Sequence, residues 1–193
     1  MATGFGFRIH DASPAPQELI TCIKLVGDSV RLGKGDPVKL ATGSIAIGNG
    51  PVVQAVARAA VGDRVYGIVE GVEQHTVVSG MTLDRTYSPT LTANYILVRR
   101  VLPGSLWEVQ EDAVGGSVAT TNVGKNIDMI AADCSTTTGM SGFMADSNTA
   151  ATTNTLDLSI RGFSQKVDNV PGSTAVLVVS FNKIAQVDQA TGV

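Results

Sequence analysis

Cysteine and histidine are scarce in this chain: only Cys22, Cys134, His10 and His75 occur in 193 residues. The two thiols are far apart, and no CxxC or Cys/His cluster accompanies them. Zinc-ligand spacing is therefore missing, and two free, buried thiols are predicted. Charge is also sparse, 16% of residues against about 25% in a typical domain, with a net charge of −3 and no basic run. That excludes binding to nucleic acid through phosphate neutralisation. With five Phe, three Tyr and one Trp, aromatic side chains are too few to line a sugar-binding cleft. No stretch of about 18 apolar residues is present to span a membrane. The start, M-A-T-G-F-G-F-R-I-H-D, lacks the basic and apolar regions of a signal peptide, so synthesis in the cytoplasm is expected. Nor does any amphipathic helical pattern of about 10 residues appear.

What remains is a chain of short β-favouring runs separated by Gly, Pro, Asn and Asp. The clearest block is residues 94–112, N-Y-I-L-V-R-R-V-L-P-G-S-L-W-E-V-Q-E-D. Residues 95–98 read as a strand, Pro103-Gly104-Ser105 as a turn, and residues 106–110 as a second strand, together a central hairpin. Alternation puts Trp107 and Val109 on one face and Glu108 and Gln110 on the other. Trp107, the only tryptophan, is the expected core anchor. Further strands are predicted over residues 19–25, 30–32, 38–40, 44–47, 52–56, 65–72, 77–83 (with a possible bulge at Gly80), 127–130, 156–160 and 175–181. Residues 55–61 could instead form one helical turn, and residues 186–193 a polar tail. The fold class is all-β, a sandwich or jelly-roll-like barrel with long surface loops. A chain of this length buries roughly 70% of its unfolded surface and needs no staples.

Residues 1–18 read as an extended N-terminal arm and residues 19–193 as one all-β domain, with possible subregions at about 19–90 and 91–193. In the arm, Phe5, Phe7 and Ile9 alternate with Gly and polar residues between flanking prolines. It either docks on another chain or forms an edge strand of its own domain. Residues 134–154 are almost all Thr, Ser, Gly, Ala and Asn, a long loop of the kind that serves recognition, with Met140, Phe143 and Met144 as large apolar pins. Phe5, Phe7, Ile9, Met140, Phe143 and Met144 are thus the candidate residues for contact with another chain.

Catalytic constellations are incomplete. His10-Asp11 could be half of a catalytic pair, but an arm is a poor place for a preorganised site. His75 fits a surface position. Glu108, Glu111 and Asp112 could serve a glycosidase only with a cleft the aromatics cannot line; a solvated strand end is the simpler expectation. Asp11, Asp28, Asp36 and Asp63 fit turn chemistry. Gly33-Lys34-Gly35-Asp36 lacks phosphate-loop spacing, and Gly139-Met140-Ser141-Gly142 lacks that of a nucleophile elbow. No enzyme activity, metal or cofactor is expected.

Several segments together carry a resemblance. They are G-D-P-V-K-L (35–40), G-D-R-V-Y-G-I-V-E-G-V (62–72), residues 95–112, N-V-G-K-N-I-D (122–128) and T-T-G-M-S-G (137–142). T-T-N-T-L-D-L-S-I-R-G-F (152–163), Asp168-Asn169 and V-V-S-F-N-K (178–183) follow in order. In order and spacing they resemble the cement (decoration) proteins of tailed-phage capsids. The departure is R-R-V-L-P-G (99–104), where a more acidic turn would be expected. The resemblance implies a virion protein on the outer surface of the head, without enzymatic activity. It would bind the phage major capsid protein at capsomer junctions and itself, as a trimer or alternatively a dimer. The competing readings are another virion part, such as a tail or fibre adaptor, and a β-sandwich hydrolase using His10, Asp11 or Glu108.

Overall fold

The computed structural model describes residues 4–14, 18–46, 49–74, 82–172 and 174–185. These are almost entirely β. The strands are β1 (Arg8–Ile9), β2 (Leu19–Lys24), β3 (Leu32–Gly33), β4 (Pro37–Ile45), β5 (Val53–Arg58), β6 (Gly67–Gln74), β7 (Thr82–Arg85) and β8 (Tyr87–Ser88). They continue as β9 (Asn94–Arg100), β10 (Trp107–Gln110), β11 (Asn126–Ile127), β12 (Met129–Ile130), β13 (Met144–Ala145), β14 (Leu158–Phe163) and β15 (Val176–Phe181). His75, most of the strand expected over 77–83, and the tail 186–193 lie outside the described residues.

The six-stranded sheet has the order β4-β5-β2-β9-β6-β7, and β4 returns to β6 through Pro37↔Ile68 and Val38↔Gly67. Five strands thus close into a ring. Its interior holds Cys22, Val38, Val56, Val69, Val72, Ile96 and Val98, at least one from each of the five strands, with Leu32 of β3 among them. A register shift between Val69 and Gly71 lets both Val69 and Val72 face inward despite their odd spacing. Cys22 and Cys134 are free and buried, and burial pushes both thiols up to about 11. Residues 55–61 do not form a helical turn. β5 is taken up on both edges, by β4 and in parallel by β2, and those ladders outweigh a weak local preference.

A second sheet runs β1-β10-β15-β14-β11, all antiparallel. β15, the most continuous apolar run, lies at its centre and is buried over nearly its whole length. Trp107, Val109, Phe143, Leu158, Ile160, Leu177, Val179 and Phe181 build its core. Ala59, Val65, Ile68 and Val101, from the ring and its connections, pack into the same cluster.

The expected hairpin of residues 95–110 is absent: β9 pairs with β2 and β6, while β10 pairs with β1 and β15. The Pro103-Gly104 turn, with Gly104 at φ +81°, instead carries the chain from one sheet to the other. A six-residue link fits a sheet crossing as well as a hairpin, and alternation alone does not distinguish them. The chain passes from the first sheet to the second over residues 101–106.

The N-terminal segment lies on its own chain. Arg8 and Ile9 register with Glu108 and Trp107, and the Phe7 N–H donates to Gly35 O at 2.9 Å. The His10 N–H donates to Leu106 O at 2.9 Å, and Ser13 Oγ accepts from the Leu106 N–H at 3.0 Å. Of the two readings left open, an edge strand of its own domain is the one found.

Candidate docking surface

Three segments cross where the N-terminal strand begins. The Lys34 N–H donates to Gly139 O at 2.9 Å and the Ser141 N–H to Lys34 O at 2.8 Å, so the loop 134–144 is laced to the turn after β3. The approach is too close for side chains. A Cβ at Gly139 (φ +69°) would lie 1.9 Å from Thr86 O, and one at Gly6 (φ +71°) 2.3 Å from Ser141 Cβ.

Gly6 also decides which phenylalanine faces out. In an extended strand Phe5 and Phe7 would share a face, but the left-handed turn at Gly6 separates them. Phe7 is 2% exposed and packs on Phe143 and Phe181, with ring centroids 6.5 and 5.0 Å away. Phe5 stays at the surface with the Arg8 guanidinium 3.5 Å over its ring. Phe143 is fully buried, its neighbour Met144 is half-buried, and Ile9 packs partly on the core. The expectation that Phe7 and Phe143 meet a partner is therefore corrected: both are interior. Trp107 is also fully buried, its Nε1–H donating to Ser105 Oγ at 2.9 Å.

The remaining candidates converge. Phe5, Met140 and Met144, with Gly4, Ala132 and Ser135, line a groove of about 510 Å³. The loop behind it is set by Ser135, whose carbonyl accepts from the Gly139 N–H at 2.8 Å and whose N–H donates to Met140 O at 2.9 Å. At the rim, Arg31 and Arg58 both hold Asp133, at 2.9 and 2.5 Å, and keep its carboxyl below the usual range. An apolar floor of one aromatic ring and two flexible thioethers can adapt to a protein surface. Arg8, Asp133 and the two arginines around it were not singled out in the sequence.

Beneath this junction sits Asp36, fully buried. Its Oδ2 accepts from the Gly33 N–H at 2.8 Å, while Oδ1 has no hydrogen-bond partner. Burial pushes its carboxyl up to about 6. Because the folded value lies above the unfolded one, protonated Asp36 favours the fold and the benefit is lost as pH rises through about 6. The loss amounts to about 3 kcal/mol. Relative to wild type, the Asp36→Asn variant is expected to gain stability as pH rises from about 4 to about 6 and to hold that gain above it. Urea unfolding across that range checks this, and parallel curves for the two proteins would contradict it.

His10 and Glu108, the hydrolase candidates, do meet, but as a clasp. The Glu108 carboxylate lies inside, against the expectation of a solvated strand end. It contacts His10 Nδ1 at 3.2 Å, accepts from Ser164 Oγ at 2.9 Å and pairs with Lys166 Nζ. Burial pushes its pKa up, but Lys166, Ser164 and His10 together outweigh that and hold it below the usual range. A carboxylate so occupied is a poor proton acceptor. Glu111 is fully buried as well, accepting from the backbone N–H groups of Val118 (2.5 Å) and Ala175 (3.2 Å). Asp112 accepts from the Ser147 N–H and Oγ at 3.0 and 2.8 Å. These acids tie loops to strands. Among the described residues no group of His, Cys, Asp and Glu is arranged to hold a metal ion.

Compared with family models, with curated proteins and with solved structures, the chain finds no match.

Proposed function

We propose that this chain is a structural protein of a tailed-phage head, bound on the outer face of the shell. There it would clamp the major-capsid-protein lattice at capsomer junctions. The observation that carries the reading is the ordered series of segments from residue 35 to residue 183 that resembles cement proteins. The arrangement of the two sheets is compatible with the sandwich or jelly-roll-like barrel that such a role implies. Self-association as a trimer, or alternatively a dimer, would match the repeated junctions of a shell.

The physics suits a sparsely charged surface. A repeating partner lets many modest contacts sum over an oligomer, so no single contact need be strong. A protein that binds only the mature lattice stabilises it by RT ln(1 + [L]/Kd), about 2.7 kcal/mol per site at a hundredfold excess over Kd. The groove of Phe5, Met140 and Met144 is the docking surface assigned to the lattice.

Co-sedimentation with expanded heads tests the role. Wild type should pellet with them in saturable fashion, and Met140→Asp and Met144→Asp should each weaken binding about tenfold or more, as expected when a charge is buried in an apolar contact. Wild type left in the supernatant at saturating concentration would overturn the proposal. Unchanged binding of both variants would remove the groove from it.

A further inference from the structure

We propose that a second, separate surface, the uncharged end of the strand ring, is where copies of this chain contact one another. Its use on a shell rests on the reading above; the contact itself rests on the following geometry.

Between Lys39 and Arg58 the chain has no Asp, Glu, Lys, Arg or His. This stretch makes β4, β5 and their connection. A strand lying on a core alternates between buried and exposed, yet Thr42, Gly43, Ser44 and Ile45 are exposed in succession. The distal half of β4 therefore lies at the surface and not over a core. Its edge is open too: β6 pairs only with Pro37 and Val38, and among the described residues no strand pairs with β4 on that side beyond them. Proteins usually guard such an edge with charge or proline, and this one has neither between Leu40 and Ile45.

Large apolar side chains gather at this end. Val52 is 70% exposed, Val26 63%, Leu91 62% and Ile45 45%. Leu91 holds a left-handed backbone (φ +51°), which costs a leucine roughly 1 kcal/mol, while its N–H donates to Asp28 O at 2.8 Å. The fold gains no burial from that strain. Among these residues lies an apolar pit of about 360 Å³, walled by Leu25, Val26, Ala41, Ile45, Val56 and Ala93. The one ionisable group that borders it, Asp28, accepts from the Val30 N–H at 2.9 Å. Lys24 is fully buried, donating to Asp28 O and Pro89 O at 3.0 and 2.9 Å.

The occupant follows from shape and charge. One surface carries both exposed apolar side chains, Val52, Val26 and Leu91, and an apolar pit with Ile45 in its wall. Copies related by a rotation axis can each set an exposed apolar side chain against the other's pit, which makes the surface self-complementary. Uncharged faces meet without like-charge repulsion, whereas a charged partner would bury its charges unpaired.

Sedimentation equilibrium with light scattering, on the full chain, decides the matter. Wild type should be a closed oligomer at micromolar concentration. Val52→Asp and Ile45→Lys should each weaken association about tenfold or more, while Val167→Asp, at a position 90% exposed and outside the patch, should leave it unchanged. Leu91→Asn guards against misfolding as the cause: Asn tolerates the left-handed backbone, so association should weaken while the monomer keeps its stability. A monomeric wild type, or variants that assemble as wild type does, would overturn the proposal. Head binding measured alongside keeps the two readings apart, since wild type that assembles without binding heads would sink only the proposed role.

Discussion

Truncating Phe7 to alanine is expected to destabilise the protein by about 3–5 kcal/mol, the usual range for Phe→Ala in a packed core. The ring is 2% exposed and sits between Phe143 and Phe181. Such aromatic pairs add about 0.5–1.5 kcal/mol each beyond the area they bury. Removing residues 1–13 should cost more, since it also deletes β1, uncovers the edge of β10 and takes His10 from Glu108. Urea unfolding measures both. A Phe7→Ala midpoint equal to wild type would mean that the segment leaves its own domain in solution and is free for another chain. The N-terminal strand would then be an exchangeable arm, and its place in the core a resting position.

Trp107→Ala should cost a similar 3–5 kcal/mol. The side chain is fully buried, edge-on to Phe181 at 6.3 Å, with its indole N–H satisfied by Ser105. Ser105 in turn belongs to the turn that carries the chain between sheets, its Oγ donating to Leu102 O at 2.7 Å. The substitution therefore opens a cavity and loosens the crossing. Phe7 and Trp107 both touch Phe181, so the double variant should not be additive, and a coupling energy of about 0.5–3 kcal/mol is expected. An unchanged Trp107→Ala melting temperature would place the ring at the surface and contradict the core described above. Additive effects would show that Phe181 does not link the two rings.

Much of this was legible residue by residue. Alternation assigned Trp107 and Val109 to one face, and β15 was readable as a central strand from its continuous apolar run. Asp28 behaves as turn chemistry predicts, capping the Val30 N–H. The parts that were not legible depend on partners far along the chain. The ring closes because Pro37 and Val38 meet Ile68 and Gly67, a register that no local pattern specifies. Glu108 reads as exposed until Lys166 and Ser164 are beside it, and Glu111 until it caps Val118 and Ala175. The contact candidates divided for a similar reason. Phe5, Met140 and Met144 converge, but the turn at Gly6 that sends Phe7 inward is invisible to a period-of-two reading.

Copy number in purified particles is the most direct test of the proposed place of this protein on the shell of a phage head. Quantitative mass spectrometry of intact virions should find it in many copies, at a fixed ratio to the major capsid protein. Protein present only in a few copies per particle, or absent from particles altogether, would contradict it.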